Sequence, residues 1–498
     1  MSSIFRQFII YGMGGAASRM ASVFLVPLYT HSLSPQEYGK LELSLAINGI
    51  LIIFAGMQIE SAVAREYIEA KKKGIRAPMV ASSFALTFVG AFFSMSFVSI
   101  VVATGIANNW IDASVLLLIG FLTLPSQLLG VQFVMLRFDG RATFYALLSL
   151  IDVVLTAVLS LLLILFFNAG VFGAFVGILV SKVICVLIAY PSTFRGIGNP
   201  INALMGIDKY WSFRLLAYGI PSLPSVLVSW VHNSGNRLIL AGILTIQDVA
   251  ITGVAIKVAA IFGFIVYSFR LAWEPYSISM LEKFKSDSGF YRRILEWYSV
   301  VMFMLAVILC AIAPWVVAFF APTKYSEAAS IVVFALVAHY WVGVTHITII
   351  GVQGSRKTYY LLPVFGGGAG INIVVLFSTV LMLGAVSAGL GLLIGSISTS
   401  MFAAIISNKV YGTEFRSKLL LSMFSISIIT PTSLWYVMDV YGNPSLINSG
   451  VLYWVGVNGV ILAIGLLVLS IGLGWCRSKE MVSIVGSYLR LIAVNNRW

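Results

Sequence analysis

The chain has 498 residues, 60% of them hydrophobic and only 10% Asp, Glu, Lys or Arg, with 31 basic against 18 acidic side chains and a formal net charge of +13. That composition excludes an array of soluble domains: the charge-free runs Pro78–Ile111, Ala113–Leu136, Trp297–Thr323, Thr358–Asn408 and Val440–Cys476 each exceed the ~20 residues a helix needs to cross hydrocarbon. The positive balance does not point to nucleic acid, because the basic residues gather in segments expected to face the cytoplasm. Backbone polar groups inside a bilayer must be satisfied within each segment, so the spans are expected to be helices. The short alternating strands of a membrane β-barrel are not visible. The fold class is therefore an all-α polytopic membrane protein. Cys185, Cys310 and Cys476 are too scattered for a metal site or a disulfide framework.

In chain order, fourteen transmembrane helices are expected. The first covers about Phe8–Thr30 and reads as a membrane helix, not a removable signal peptide. A short outer loop, His31–Leu41, leads to the second span at Glu42–Ala62, and the inner loop Arg65–Arg76 carries Lys71, Lys72 and Lys73. Spans three and four, Pro78–Ala103 and Ser114–Leu136, flank an outer turn at Asn108–Asp112; Arg137–Arg141 is the next inner loop. Spans five and six, Thr143–Phe167 and Val171–Tyr190, meet at Asn168-Ala169-Gly170. After the inner segment Pro191–Ser212 come span seven, Phe213–Arg237, and span eight, Asp248–Phe269. An amphipathic inner connector, Trp273–Glu296, precedes spans nine to twelve at Trp297–Phe320, Glu327–Ile350, Tyr359–Leu383 and Val386–Asn408. The last two are Leu419–Met438 and Gly450–Trp475.

This topology places 24 of the 31 Lys and Arg in inner segments and only Lys40 and Lys324 outside, the asymmetry that puts both termini in the cytoplasm. A weak internal repeat divides the chain. Leu33-Ser-Pro-Gln-Glu-Tyr-Gly39 echoes Leu244-Thr-Ile-Gln-Asp-Val-Ala250, Tyr11-Gly12 matches Tyr218-Gly219, and Arg141 and Gly173-Ala174 precede Arg356 and Ala388-Gly389 by 215 positions. The expected organisation is a six-helix half at 1–200, a second at 201–415, and two extra helices with a cytoplasmic tail at 416–498. Both halves start from the same side, so they are parallel repeats, an arrangement that places a transporter's site between them.

Five bases fall inside expected spans: Arg19, Lys182, Arg237, Lys257 and Arg270. Each costs roughly 2.5–3.5 kcal/mol at a helix centre on insertion scales, unless it faces water, a partner or an anionic ligand. Arg19 lies beside the small residues Gly12, Gly15 and Ser22, which points it into the bundle; it either contacts ligand, caps carbonyls or pairs with Asp152. Span seven presents Ser222, Ser225, Ser229, His232, Asn233 and Asn236 along one face and ends at Arg237, which either lines the same path or snorkels outward. On span eight, Arg270 has a possible partner in Glu274 four residues on, whereas Lys257 has none in reach along its own helix. Lys182 either snorkels to headgroups or meets ligand. Asp152, on a polar face with Ser149, Thr156 and Ser160, is a coupling site for protons or sodium or the partner of Arg19 or Lys182. His339 and His346 share a face of span ten with Gly343 at a spacing that is not a metal motif, so both read as satisfied interior histidines. Aromatics such as Trp230, Tyr267, Trp273 and Tyr276 either stack on sugars or belong to the core and interface belts.

No phosphate-binding loop, dinucleotide fingerprint or metal-ligand spacing is present, so no cofactor is expected and the chain does not itself consume nucleotide. A cation-coupled drug exporter calls for a carboxylate-rich path, against the count of intramembrane bases. A membrane glycosyltransferase or polymer ligase needs catalytic groups in sizeable outer loops, and Glu37, Asp112, Asp248, Glu327 and Asp439 are isolated on short turns.

The segment Val26-Pro-Leu-Tyr-Thr-His-Ser-Leu-Ser-Pro-Gln-Glu-Tyr-Gly39, with Arg19 before it, resembles the opening of lipid-linked oligosaccharide flippases of the polysaccharide transport family, within the multidrug/oligosaccharidyl-lipid/polysaccharide exporter superfamily. Ala64-Arg-Glu-Tyr67 resembles that family's exit from span two, and Tyr218-Gly-Ile-Pro221 with Asn233-Ser-Gly-Asn-Arg-Leu-Ile-Leu240 is similar to its span-seven signature. The resemblance covers essentially the first twelve helices. Two positions depart from it: Asn236 stands where an acid is usual, and His31 where a base is usual. The resemblance implies a flippase in the bacterial cytoplasmic (inner) membrane that moves an undecaprenyl-diphosphate-linked sugar repeat from the inner to the outer leaflet. Arg19, Lys257, Arg270, Arg237 and Lys182 would bind the diphosphate or flanking acidic sugars. The surface product would be O-antigen lipopolysaccharide, capsule or exopolysaccharide, and a polymerase and glycosyltransferases would be the partners.

Overall fold

The computed structural model describes residues 23–106, 110–194, 207–280, 289–355, 358–413, 415 and 417–441. All regular structure among them is helical. A helical segment at 23–32, α1, precedes α2 (Pro35–Gly56), α3 (Ile59–Lys72), α4 (Arg76–Thr104), α5 (Ala113–Phe138), α6 (Ala142–Phe167) and α7 (Gly170–Thr193). Then follow α8 (Lys209–Ile243), α9 (Ile246–Met280), α10 (Gly289–Ala311), α11 (Ala313–Phe320), α12 (Ala328–Thr348), α13 (Ile350–Gly354), α14 (Leu361–Leu383), α15 (Val386–Tyr411) and α16 (Ser417–Tyr441). Eleven of the described helices are long and apolar enough to cross a membrane. Of the fourteen expected crossings, the first lies mostly outside the described residues and the last, 450–475, entirely so. The thirteenth corresponds to α16, whose apolar stretch is the shorter Leu420–Tyr436.

Several expected boundaries move, each for a local reason. The second span begins at Pro35 and not at Glu42, because Ser34 caps the helix: its hydroxyl accepts from the Glu37 amide while the Glu37 carboxylate accepts from the Ser34 amide at 2.9 Å. The helix then ends at Gly56, short of Ala62, where Met57 and Gln58 adopt left-handed φ values of 44° and 56°. That conformation costs an L-residue roughly 1–2 kcal/mol. It is held by the Gln127 amide, which packs on Gly56 and donates to the Ile52 carbonyl at 2.6 Å. The expected inner loop from Arg65 is helical as far as Lys72, and the described parts of the connector after Trp273 are continuations of α9 and α10.

The helix ends define two poles. The basic end carries the α3–α4 turn with Lys71 and Arg76, the α5–α6 turn, and the start of α8; the far end carries the turns at Ser34, Asn168–Gly170, Leu244–Thr245 and Gly384. At the basic end Asp139 gathers the Tyr67 hydroxyl at 3.0 Å, Lys71 Nζ at 2.7 Å and Arg76 Nη2 at 3.1 Å, and Arg76 also donates to the Thr193 carbonyl. One carboxylate thus ties α3, α4, α5 and α7 together. At the far end the capping box of α2 recurs at α9. Thr245 Oγ1 donates to Asp248 at 2.6 Å, and the Asp248 amide returns to Thr245 Oγ1 at 3.2 Å. The local structure therefore repeats where the sequence repeats.

Helices α2 to α7 pack on one another, and α9 to α16 form a second group centred on α12, which is buried around nearly its whole circumference. An aromatic cluster of Trp273, Tyr291, Tyr298, Phe303, Tyr340 and Trp341 fills that second group. Between the groups runs α8, 35 residues or about 52 Å long at 1.5 Å per residue, with Pro221 and Pro224 inside it. Its basic-end half packs on α3 and α4; its far half reaches α2 and α14. Close approach elsewhere depends on glycine: a Cβ on Gly90 of α4 would strike the Ala55 carbonyl of α2. Gly90→Ala is expected to destabilise the protein by about 1–3 kcal/mol, read as a lower melting temperature in detergent. Gly242→Ala, with open space around it, should not lower it.

Candidate functional site

About two turns inside α2, Glu42 is buried against α8 and α9. Its carboxylate pairs with Lys257 Nζ of α9 through Oε1 and lies 3.2 Å from Arg237 Nε of α8 through Oε2. Side-chain exposures of 1% for Glu42, 10% for Arg237 and 13% for Lys257 mark a dry seam. The Arg237 contact is close enough for ion pairing but is not aligned as a hydrogen bond. Lys257 Nζ also lies 3.4 Å from the Tyr38 hydroxyl and 5.4 Å from the centre of its ring. Space for the carboxylate comes from Gly253, where a Cβ would sit 2.5 Å from Glu42 Cγ. With two cations against one carboxylate the seam keeps one excess positive charge. Burying an ion costs several kcal/mol even after relaxation, and removing one member of a buried pair costs about 3–5 kcal/mol.

Further along the same three helices, about 10 Å toward the basic end at 1.5 Å per residue, lies a layer of uncharged polar groups. Trp230 Nε1 of α8 faces Gly49 of α2, and Asn48 Oδ1 is buried beside it. His339 of α12 packs on Gly263 of α9. Trp230 Nε1, Asn48 Oδ1, His339 Nε2 and both amide atoms of Asn236 are buried without a hydrogen-bond partner among the described residues. Buried polar groups are rarely left so, and Trp230 Nε1 and the Asn236 amide on the helix of Arg237, with Asn48 Oδ1 on that of Glu42, give the seam capacity for a polar ligand.

The structure distributes the five sequence-flagged bases among different places. Arg237 and Lys257 meet at Glu42. Lys182 of α7 instead pairs with Asp152 of α6 at 2.5 Å, and Ser181 Oγ donates to Asp152 Oδ1 at 3.0 Å, an assembly within the first helix group. Asp152 is thus ion-paired with Lys182 in this structure. Arg270 pairs with Glu274 at 3.2 Å, one turn on along α9, with both side chains about 40% exposed. Arg19 lies outside the described residues. Lys257, which has no partner along its own helix, finds one across the bundle, and Arg237 does not snorkel but is buried.

The polar face of span seven also divides. Ser222 and Ser225 donate to their own helix, to the Gly219 and Ser222 carbonyls at 2.7 Å, and Asn233 donates to the Ser229 carbonyl. His232 turns to α14 and α15: Asn372 Nδ2 donates to the His232 carbonyl at 2.9 Å, and His232 Nε2 lies 3.2 Å from Ser396 Oγ. No group of His, Cys, Asp and Glu suited to a metal ion occurs among the described residues. The residue that sequence reasoning missed is Glu42. Its signal was the Ser34-x-x-Glu37 capping box, which starts the helix seven positions before Glu42.

A bundle of long apolar helices around a charged, partly unsatisfied seam is the architecture of a multi-pass membrane protein. The chain belongs to the polysaccharide biosynthesis protein family, whose profile matches residues 4–281. In fold it resembles transporters of the MOP superfamily. An inward-facing multidrug resistance MATE family transporter matches with a TM-score of 0.63 at 16% identity, over 81% of this chain and 96% of that one. MATE in complex with MaL6 matches at 0.60 and 16%, over 83% and 97%. A MOP superfamily transporter from Pyrococcus furiosus, described by the reverse polarity of its binding pocket, matches at 0.54 and 17%, over 83% and 96%. Among curated proteins no sequence match accompanies these.

Removal of Asp152 tests the side pair. Asp152→Asn is expected to cost about 2–3 kcal/mol, below the fully buried value because Lys182 is 26% exposed. Asp152→Asn combined with Lys182→Met should recover most of that loss in thermal unfolding, and strictly additive effects would contradict the pairing.

Proposed function

We propose that the protein is a flippase. It carries an undecaprenyl-diphosphate-linked oligosaccharide repeat from the inner to the outer leaflet of the bacterial cytoplasmic membrane, with the basic end in the cytoplasm. The observation that carries the reading is the seam itself: two intramembrane cations share one carboxylate, leaving net positive charge where the two helix groups meet. A diphosphate needs such charge. The unsatisfied amide, indole and imidazole atoms next to it suit the first sugars, and the apolar bundle surface suits the polyprenyl chain. Membership of the polysaccharide biosynthesis family supports the same substrate class, and the transporter fold supports carriage over catalysis.

In this mechanism the two helix groups alternate their exposure of the seam. Lys257 and Arg237 take the diphosphate, Arg19 joins them from the first span, and Arg270, half exposed nearer the basic end, draws the headgroup in. Lys182, already held by Asp152, has the lesser part. With the inside negative, each negative charge moved outward gains roughly 2.3 kcal/mol per 100 mV, so the potential assists export.

The test is translocation of undecaprenyl-diphosphate-linked oligosaccharide in proteoliposomes, together with lipid extracts from a deletion strain. The protein is expected to accelerate crossing, and the deletion to accumulate the lipid-linked repeat while losing surface polysaccharide. Lys257→Ala and Arg237→Ala should each slow crossing on the order of tenfold or more, as loss of a buried charge partner does. Unchanged crossing in the normally inserted double variant overturns the reading. Absence of flipping together with export of cationic drugs would favour the multidrug activity named for two of the fold neighbours.

A further inference from the structure

Glu42 stands in an unusual relation to the two cations of the seam, because they belong to different parts of the bundle. The carboxylate is carried by α2, and Arg237 and Lys257 by α8 and α9. Around it the far end is closed by contacts that carry no opposed charges. Gly39 lies against the Ile246 carbonyl, Thr30 Oγ1 donates to the Phe320 carbonyl at 3.3 Å, Lys324 Nζ donates to the Leu33 carbonyl at 3.1 Å, and the Tyr38 and Tyr325 rings meet edge to face. Toward the basic end, by contrast, α8 makes the junction with the first group: Arg214 reaches Glu66 at 2.6 Å and Glu69 at 3.0 Å, and Ser82 Oγ donates to the Asp208 carbonyl at 3.1 Å. Among the described residues, Glu42 is therefore the ion-paired fastening between the two helix groups at the far end.

We infer that Glu42 is an internal stand-in for the ligand's anion. It holds Lys257 and Arg237, and with them the far end, until a headgroup bearing at least two negative charges takes both cations from it. Parting α2 from α8 and α9 without a ligand would separate one negative charge from two positive charges that, while the seam is closed, have little access to water. Such uncompensated charge is what makes buried pairs hard to break. A monoanion exchanges with Glu42 at equal charge and leaves the same one excess positive charge, so it gains nothing over the carboxylate. A diphosphate diester brings two charges to the two cations, and the displaced carboxylate meets water as the far end opens. The Arg237 contact, close but not aligned as a hydrogen bond, is the one that yields first, and Tyr38 beside Lys257 offers the ammonium a polar neighbour during the exchange.

The charge count also sets specificity. Bilayer phospholipids whose headgroups are zwitterionic or carry a single phosphodiester charge bring no more charge to the two cations than Glu42 already does. The latch therefore responds to a diphosphate-linked lipid and ignores the far more abundant monophosphodiester lipids. The nature of the ligand rests on the flippase reading; the latch does not.

The experiment measures the far-end opening by distances between spin labels at Ala169 and Ala385, in full-length protein with its native cysteines replaced, in nanodiscs of phosphatidylethanolamine and phosphatidylglycerol. Wild type should show the closed distance in those lipids alone and gain an open population when undecaprenyl diphosphate is added. Glu42→Gln should raise the open population at least about tenfold without undecaprenyl diphosphate, and Glu42→Asp should restore closure. Glu42→Gln with Lys257→Met removes the pair at unchanged net charge and should open likewise, which keeps the test valid if the single variant does not fold. Folded variants that stay as closed as wild type overturn the latch. Variants that open, in a protein whose wild type ignores undecaprenyl diphosphate, uphold the latch and overturn the diphosphate ligand.

Discussion

A carboxylate with almost no access to water governs how the two helix groups meet. Glu42 can be buried only because Lys257 and Arg237 come to it, and they can come to it only because Gly253 and Gly39 let α9 close on α2. The register of α2 follows from the Ser34–Glu37 cap, and that of α9 from the Thr245–Asp248 cap. Two local turns, specified by four residues, thus place opposite charges at the same depth on facing helices.

The charged seam and the neutral node at His232 show two ways of handling polarity inside a membrane bundle. His232, Asn372 and Ser396 bond to one another and to backbone, with Asn372 Oδ1 left without a partner among the described residues, so α8, α14 and α15 are joined without charge. The seam keeps an excess cation and several polar atoms without hydrogen-bond partners. A satisfied network rigidifies, whereas a partly satisfied one is costly unless something else completes it. The first, more nearly satisfied, has the character of scaffold and the second of a working surface, and α8 contributes to both.

Much of this was legible in the sequence. Hydropathy runs located eleven helices long and apolar enough to cross a bilayer, and the recurrence of 33–39 at 244–250 marked a repeat that reappears as matching caps. Glu42 was hidden because charge was taken as the mark of a helix start, while the capping box, a stronger local signal, begins the helix earlier. Lys257 looked partnerless because spacing along one helix reveals only i and i+4 neighbours; its partner lies 215 positions away in sequence. For the same reason Lys182 with Asp152 could be offered only as one of several pairings. The helical course of α3 beyond Arg65 escaped because a basic, polar run reads as loop, while its buried face of Ile59, Val63, Glu66, Tyr67 and Ala70 packs under the first group.

Helix α8 is fastened at its two ends to different bodies, to α3 and α4 by Arg214 and Asp208 and to α14 by His232. Pro221 and Pro224 lie between those attachments and supply no amide hydrogens to the helix ladder. When one body tilts against the other, neither anchor can follow both, so the bend must be taken up over the seventeen residues between Arg214 and His232. The helix is then a flexible strut: its length sets how far the bodies can separate, and its prolines set where it yields.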